Sequence, residues 1–248
     1  MCTVVILRRP DHSWPLIIGA NRDEMAGRPW KPPARHWEDR PEVVGGLDEL
    51  AGGSWLGIND TGVVAAILNR MGSLGPQPGK RSRGELVLEA LDHADAVEAA
   101  EALAHLDARA YRPFNMVIAD NRDTFWLRAD GERTRVIPVP EGVSMLTAFE
   151  LNDPTDPRIA RFLPKFLAAE APHPGNSDWR SWQALLATPV PQGVVDREAG
   201  LTFQLENGFG TRSSALIALP SVEHPEIDSI FLFAPGSPDQ VDYRPVPL

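Results

Sequence analysis

The sequence predicts an α+β domain in which sheets pack on each other with helices outside. Strand-like runs and helical segments follow one another in the order strands, helices, strands, helices, strands. Turn residues separate many of the apolar runs in hairpin fashion, which is typical of antiparallel sheets. No repeat or change of composition divides the 248 residues, so a single domain over residues 1–248 is expected.

A β-hairpin is predicted at the start of the chain. Residues 2–7 form one apolar run, residues 16–20 form another, and a turn containing Pro10 lies between them. The second strand continues into Asn21-Arg22-Asp23-Glu24, so four polar residues end an apolar strand. Because side chains alternate along a strand, Asn21 and Asp23 are expected on one face, and Arg22 and Glu24 on the other.

A second hairpin is predicted after a Pro-rich loop over residues 29–41. Trp55 lies in the first strand of this hairpin, and Asn59-Asp60-Thr61-Gly62 provides the turn. The apolar run 63–68 forms the second strand and ends at Asn69-Arg70. A second polar group is therefore expected at a strand end.

Helices are predicted between the strands. Ser82 and Glu85 have the spacing of a capping box and begin a helix that ends near Leu91. Further helices are expected over residues 94–106, residues 158–169 with a kink at Pro164, and residues 178–186. Later strands are expected over residues 114–119, 124–127, 135–139, 201–205, 213–219 and 230–233. Asn121-Arg122-Asp123 repeats the earlier polar motif but is predicted to be a hairpin turn.

Composition excludes several classes of function. A formal net charge of −10 argues against a nucleic-acid or anionic-membrane partner. The first apolar run is followed at once by Arg8 and Arg9, so it predicts neither a signal peptide nor a membrane span. A cytoplasmic location without stable membrane insertion is therefore expected. The histidines share no ligand spacing, and no metal site is predicted.

The only cysteine, Cys2, directly follows Met1. If Met1 is removed, Cys2 becomes the N-terminal residue, and its thiol and free α-amine can act as nucleophile and general base. No partner histidine is then required. The alternative is an ordinary buried cysteine at a coincidental position.

Three polar clusters could serve such a nucleophile. Arg22 near the thiol would favour the thiolate, and Asp23 near the terminal amine could orient it; a solvated strand end is the alternative. Asn69 could donate a hydrogen bond to a developing oxyanion, or it could be an ordinary turn residue. Arg212, in Thr211-Arg212-Ser213-Ser214, could bind a carboxylate or phosphate, or it could begin a strand.

Several short motifs occur together in the order seen in one family. They are Met1-Cys2-Thr3, Asn21-Arg22-Asp23-Glu24, Ala51-Gly52-Gly53-Ser54-Trp55-Leu56-Gly57, Leu68-Asn69-Arg70, Ser82-Arg83-Gly84-Glu85-Leu86 and Gly210-Thr211-Arg212-Ser213. By these motifs the chain resembles the NRDE family, also called the transport and Golgi organisation family. The resemblance implies a four-layer α-β-β-α sandwich of the N-terminal nucleophile (Ntn) hydrolase type, to which choloylglycine hydrolases and penicillin V acylases belong.

The resemblance also implies roles for single residues. Cys2 matches the nucleophile, and Asp23 matches the aspartate that holds the terminal amine. Asn69 resembles the oxyanion-hole asparagine, and Arg212 resembles the late arginine of the site. The candidate substrate-binding residues are Asn21, Arg22, Arg70 and Trp55.

Two positions depart from the pattern of those hydrolases. Ala20 stands where they place an early arginine, and Arg22 lies two residues later on the same predicted strand face. Ala148 stands where they have a second oxyanion asparagine, for which Asn152 is a distant substitute.

Two functions are compatible with these residues. The first is a cysteine-dependent amidase or acyl-transfer enzyme that acts on a small amide or thioester substrate and needs no cofactor. The second, which the resembled family implies, is a non-catalytic protein that binds haem or takes part in lipid and acyl-CoA trafficking. In that second function Arg22 and Arg212 would bind propionate or phosphate groups. No oligomeric state is predicted.

Overall fold

The computed structural model describes residues 2–248, except the side chain of Glu198. Its strands, in chain order, are β1 Thr3–Arg8, β2 Leu16–Met25, β3 Trp30–Ala34, β4 Val43–Asp48, β5 Leu56–Asn59, β6 Val64–Asn69, β7 Phe114–Ala119, β8 Thr124–Ala129, β9 Thr134–Pro138, β10 Gly142–Leu146, β11 Phe209–Leu219, β12 Ile230–Ala234 and β13 Arg244–Pro245. Its α-helices are α1 Gly84–Leu91, α2 Ala96–Ala104, α3 Pro157–Ala168 and α4 Arg180–Leu186.

The described chain divides into two compact units, the first comprising residues up to 27 with 141–246, and the second residues 28–140 with 247 and 248. Each unit has one antiparallel sheet with helices packed against it. The α+β class predicted from the order of elements is confirmed. The organisation of residues 1–248 as one domain stays a prediction.

The first unit contains the sheet that carries the N-terminal residues. Its strand order is β10-β1-β2-β11-β12-β13, and β11 pairs with β2 along almost its whole length. Helices α3 and α4 cover one face. Gly19 on β2 lets α4 approach, because a Cβ added there would lie 3.1 Å from side-chain atoms of Trp182 and Leu186. The core on this face includes Val5, Ile17, Met145, Ile159, Phe162, Phe166, Trp182, Leu186 and Leu216.

The second unit is a meander of seven strands in sequence order, β3 to β9, among the residues described. Helices α1 and α2 pack on this sheet around a core that includes Val87, Leu91, Phe114 and Met116. Gly53 allows the start of α1 to pack closely against the chain, since a Cβ at this position would lie 2.3 Å from the carbonyl carbon of Gly84. The glycine-rich motif around Trp55 therefore serves packing of backbone against backbone.

Several predictions about single elements are wrong. The Pro-rich loop over residues 29–41 contains the edge strand β3, which tolerates proline because an edge residue needs no ladder partner on one side. Strands β4 and β10 were not predicted from their mixed glycine and apolar residues. Residues 201–205 form only isolated bridges, at Thr202 and Gln204, and no strand.

The predicted capping box is also wrong. Helix α1 begins at Gly84, and its N-cap Arg83 makes no side-chain cap. Ser82 Oγ accepts a hydrogen bond from the Gly84 N–H at 3.3 Å. Glu85 instead accepts from Tyr111 Oη at 2.5 Å and pairs with Arg81 at 2.7 Å, so its carboxylate does not cap the helix.

Other predictions agree with the structure. The hairpin between β7 and β8 turns at residues 120–123, where Asp120 Oδ1 accepts from the N–H groups of Arg122 and Asp123. Helix α3 covers most of the predicted segment 158–169 and continues through Pro164 without a break, and a kink there stays a prediction. Among residues 2–248, each helix is too short or too polar to cross a membrane.

Candidate active site around Cys2 and Asp23

The Cys2 thiol lies against the backbone of Asp23. Pairing of β1 with β2 places Thr3 opposite Asn21, which brings the residue before β1 to the polar end of β2. Cys2 Sγ accepts a hydrogen bond from the Asp23 N–H at 3.3 Å and lies 3.5 Å from the Asp23 carbonyl oxygen, to which it donates. The sulfur is thus held by the main chain of one residue of the neighbouring strand, and Cys2 keeps part of its surface exposed.

The surroundings make the thiol less acidic. Burial raises the pKa of Cys2, and the negative charge of Asp23 raises it further. The positive charge of the amino terminus, the hydrogen bond from the Asp23 backbone and the charge of Arg22 act in the opposite direction but do not prevail. The charge of Arg22 favours the thiolate, as expected, but burial and Asp23 outweigh it, so a nucleophilic Cys2 needs a base.

The Asp23 carboxylate contacts a second set of groups. Thr211 Oγ1 donates to its Oδ1 at 2.8 Å, and Arg158 Nη1 donates to its Oδ2 at 3.3 Å. The side chains of Asp23 and Arg158 are both 0% exposed. Arg158 also donates to Thr3 Oγ1 at 3.3 Å. A carboxylate can stay buried here because a cation and a hydroxyl compensate it.

Arg158 is the residue that sequence reasoning missed. A signal was present, because residues 158, 162 and 166 are spaced by one helical turn and fall on one face of α3. Phe162 and Phe166 are both buried on that face. An arginine in line with a buried apolar stripe indicates a charge that needs a partner inside the protein.

Asn21 shares the face of Asp23, as strand alternation predicts. Its Nδ2 donates to the carbonyl oxygens of Leu186 at 2.9 Å and Leu201 at 3.0 Å. Its Oδ1 accepts from Ser214 Oγ at 2.6 Å, and that hydroxyl also lies 2.6 Å from Tyr243 Oη. The amide of Asn21 thus joins β2 to the end of α4 and to β11.

The two predicted arginines of the first unit lie apart from this carboxylate contact. Arg22 is 6% exposed and lies 3.8 Å from Glu24 Oε2. Arg212 stands at the β-bulge of β11, where Nε donates to the Glu24 carbonyl at 3.1 Å and Nη2 to Gln204 Oε1 at 2.6 Å. Arg212 therefore fixes the end of β2, and Arg158 is the arginine that pairs with Asp23.

Three predicted site residues belong to the second unit. Asn69 is the last residue of β6 and lies opposite Phe114. Arg70 Nη1 donates to Asn115 Oδ1 at 2.7 Å. Trp55 packs edge-on against Trp30, with ring centroids 5.7 Å apart. Their predicted roles in oxyanion and substrate binding stay predictions.

Asn152 serves the backbone of β10. It has a left-handed conformation with φ of 58°. Its Oδ1 accepts from the Met145 N–H at 2.7 Å, and its Nδ2 donates to Ser144 Oγ at 3.1 Å. These bonds occupy the amide that sequence reasoning considered as a second oxyanion contact.

Comparison with solved structures defines the class of fold. The chain superimposes on penicillin V acylase from Agrobacterium tumefaciens with a TM-score of 0.59 and 13% identity, covering 95% of this chain and 83% of that one. An N-acylethanolamine-hydrolyzing acid amidase ortholog from Caenorhabditis elegans gives a TM-score of 0.57 and 15% identity, covering 87% and 92%. The fold is that of the Ntn hydrolases.

Sequence comparison then identifies the family. Residues 1–170 match the family Transport and Golgi organisation 2, and the chain belongs to that family. The Transport and Golgi organization 2 homolog of Mus musculus is 36% identical over 116 residues. The matched segment covers 44% of this chain and 40% of the mouse protein, which is less than two thirds of that relative.

Proposed function

We propose that the chain is a cysteine-dependent hydrolase or acyltransferase of the Ntn type, acting on an amide or thioester bond. The observation that carries this proposal is the position of the Cys2 sulfur. It lies just before β1 and accepts a hydrogen bond of 3.3 Å from the backbone N–H of Asp23 on β2. Two solved proteins of similar fold are named an acylase and an amidase. Both names describe reactions at acyl groups, which supports the same class of reaction here.

The reaction requires Cys2 to carry the free α-amine. The thiol attacks the carbonyl carbon while the amine accepts its proton, giving a tetrahedral intermediate. Collapse breaks the C–N or C–S bond, and the protonated amine returns the proton to the leaving group. Water, deprotonated by the same amine, or an acceptor amine then releases the acyl group from sulfur. Met1 lies outside the described residues, and its removal stays a prediction.

The environment of the thiol agrees with a built-in base. Burial and the charge of Asp23 raise the pKa of the Cys2 thiol, so a base is needed to take its proton. Attack therefore needs proton transfer in the same step, and an α-amine with a reference pKa of about 8 suits this task. Asp23 would orient the amine, and the oxyanion contact of Asn69 stays a prediction.

The test is mass spectrometry of the intact protein before and after exposure to acyl amides and thioesters. Since the chain has one cysteine, a thiol adduct is assigned without mapping. We expect a mass without Met1 and an acyl adduct that Cys2→Ala abolishes. Arg161→Gln, an exposed change on α3, is the matched control and should keep the adduct. Retained Met1 with no adduct would contradict the enzyme.

A second candidate is a non-catalytic haem or acyl-lipid carrier on the same fold. The charge of Arg22 acts on the Cys2 thiol, so a cation that could hold an anionic group lies near it. Arg22 would then contact a propionate or phosphate group. Titration with haem, followed by absorbance, should give saturable binding that Arg22→Gln weakens and Arg161→Gln leaves unchanged. Absence of saturable binding would contradict the haem carrier.

A further inference from the structure

The first turn of α3 holds Arg158 in one position. The helix begins after Asp156, whose Oδ1 accepts from the Arg158 N–H at 2.8 Å. Asp156 is itself buried and accepts from the Thr147 hydroxyl. The guanidinium carbon of Arg158 lies 5.6 Å from the centre of the Phe203 ring. The arginine is thus fixed at its backbone and along its guanidinium.

Asp23 connects this arginine with the thiol. Its main chain contacts Cys2 Sγ, whereas its carboxylate contacts Arg158 and Thr211. Removing a partner from a buried carboxylate is costly, so the Asp23 carboxylate would turn toward other groups if Arg158 lost its cation. That movement would shift the main chain of Asp23, which holds the sulfur.

We propose that Arg158 is a positioning residue for Cys2, which acts by holding the Asp23 carboxylate in place and neutralising it. This role rests on the proposed function, in which the Asp23 carboxylate orients the α-amine of Cys2. Arg158 does not contact the reacting atoms in this scheme. It fixes the charge and orientation of Asp23, which contacts the α-amine in the proposed mechanism.

The charges around the thiol give the direction of the effect. Asp23 opposes the thiolate, whereas the amino terminus and Arg22 favour it, and Glu24 lies 3.8 Å from Arg22. Arg158 offsets the charge of Asp23 from the helix side. Loss of Arg158 removes the cation that offsets Asp23, so the charge of Asp23 acts on the thiol with less compensation. Thiolate formation should become harder.

The test is the pH profile of alkylation of Cys2 by iodoacetamide, which needs no turnover. In Arg158→Met the midpoint should move to higher pH, and the rate at a fixed pH below the midpoint should fall by about threefold to tenfold. Arg158→Lys should restore part of the rate because it restores the positive charge. Arg161→Met, on the same helix but 41% exposed, should match the wild type. Intact mass ensures that all variants share one N-terminus.

The outcomes separate this inference from the proposed function. A folded Arg158→Met variant with the wild-type alkylation profile would overturn the role of Arg158. In an Asp23→Asn background, Arg158→Met should have no further effect on the profile, and a full effect there would also overturn it. A shifted profile without any acyl adduct would keep the role of Arg158 and reject the hydrolase. An acyl adduct with an unshifted profile would support the hydrolase and reject the role of Arg158.

Discussion

Asp23 has different partners for its main chain and its side chain. The N–H and carbonyl groups hold the Cys2 sulfur, and the carboxylate is buried against Arg158 and Thr211. Strand geometry explains this division, since a side chain and the flanking peptide groups point in different directions. One residue therefore links the candidate nucleophile to the helix side of the sheet.

The hydroxyl of Thr211 should contribute measurably to stability. Thr211→Val keeps the shape of the side chain but leaves Asp23 Oδ1 without its 2.8 Å donor. We expect a loss of about 1–3 kcal/mol in the free energy of unfolding, measured by urea denaturation. The matched control is Thr155→Val, which breaks a 2.7 Å bond from an exposed threonine to Asp153. Equal losses in both variants would contradict the importance of burial.

Tyr243 should make stability depend on alkaline pH. Burial raises the pKa of Tyr243, which lies 2.6 Å from Ser214 Oγ. A group whose folded pKa exceeds its unfolded value stabilises fully below the unfolded value, about 10, and loses this contribution as pH rises through the folded pKa. Tyr243→Phe should cost about 1 kcal/mol at neutral pH, and its deficit should shrink above pH 10 or so. The measurement is urea unfolding of both proteins at several pH values. A difference in unfolding free energy that stays constant above pH 10 or so would contradict the role of Tyr243.

Elements differ in how much of them the sequence could predict. Strands β1, β2, β6, β7 and β12 were predicted because each contains a largely apolar run next to turn residues. Strands β3 and β4 were missed because proline and glycine hide their pattern. The faces of β2 were also predictable, since Asn21 and Asp23 both contact groups on the helix side. The partner of Asp23 was not, because Arg158 lies far along the chain on another element.

The packing position of α1 depends on the absence of a side chain at Gly53. Gly53→Ala would place a Cβ 2.3 Å from the Gly84 carbonyl carbon, and backbone cannot yield as a flexible side chain can. We expect a loss of about 3 kcal/mol or more in unfolding free energy, measured by thermal or urea denaturation. Gly27→Ala is the control, because its Cβ would meet no atom within 4 Å. A stable Gly53→Ala protein would show that the contact is not required.

At the scale of the whole molecule, the short motifs of the sequence predicted the family. The α+β class followed from the order of elements, and the family match over residues 1–170 confirms the motif resemblance. The polar site was only partly predictable. Cys2 and Asp23 are joined by local strand pairing, which a hairpin pattern reveals, whereas Arg158 and Thr211 reach Asp23 through tertiary packing.

Net charge gives a prediction for the whole chain. A formal charge of −10 should prevent association with polyanions at physiological salt. Electrophoretic mobility of duplex DNA and sedimentation with anionic vesicles should be unaffected by the protein at micromolar concentration. Binding to either, with the dependence on salt expected of counterion release, would reveal a basic surface that the total charge conceals.

The hydrogen bond from the Asp23 N–H to Cys2 Sγ offers a spectroscopic view of the site. An amide proton that points at sulfur will experience a different electric field when the thiol becomes a thiolate. The resonance of the Asp23 amide in a nitrogen-edited NMR spectrum should therefore shift as Cys2 ionises or is acylated. A single backbone signal would then report the chemical state of the candidate nucleophile in the resting protein, before any substrate is known.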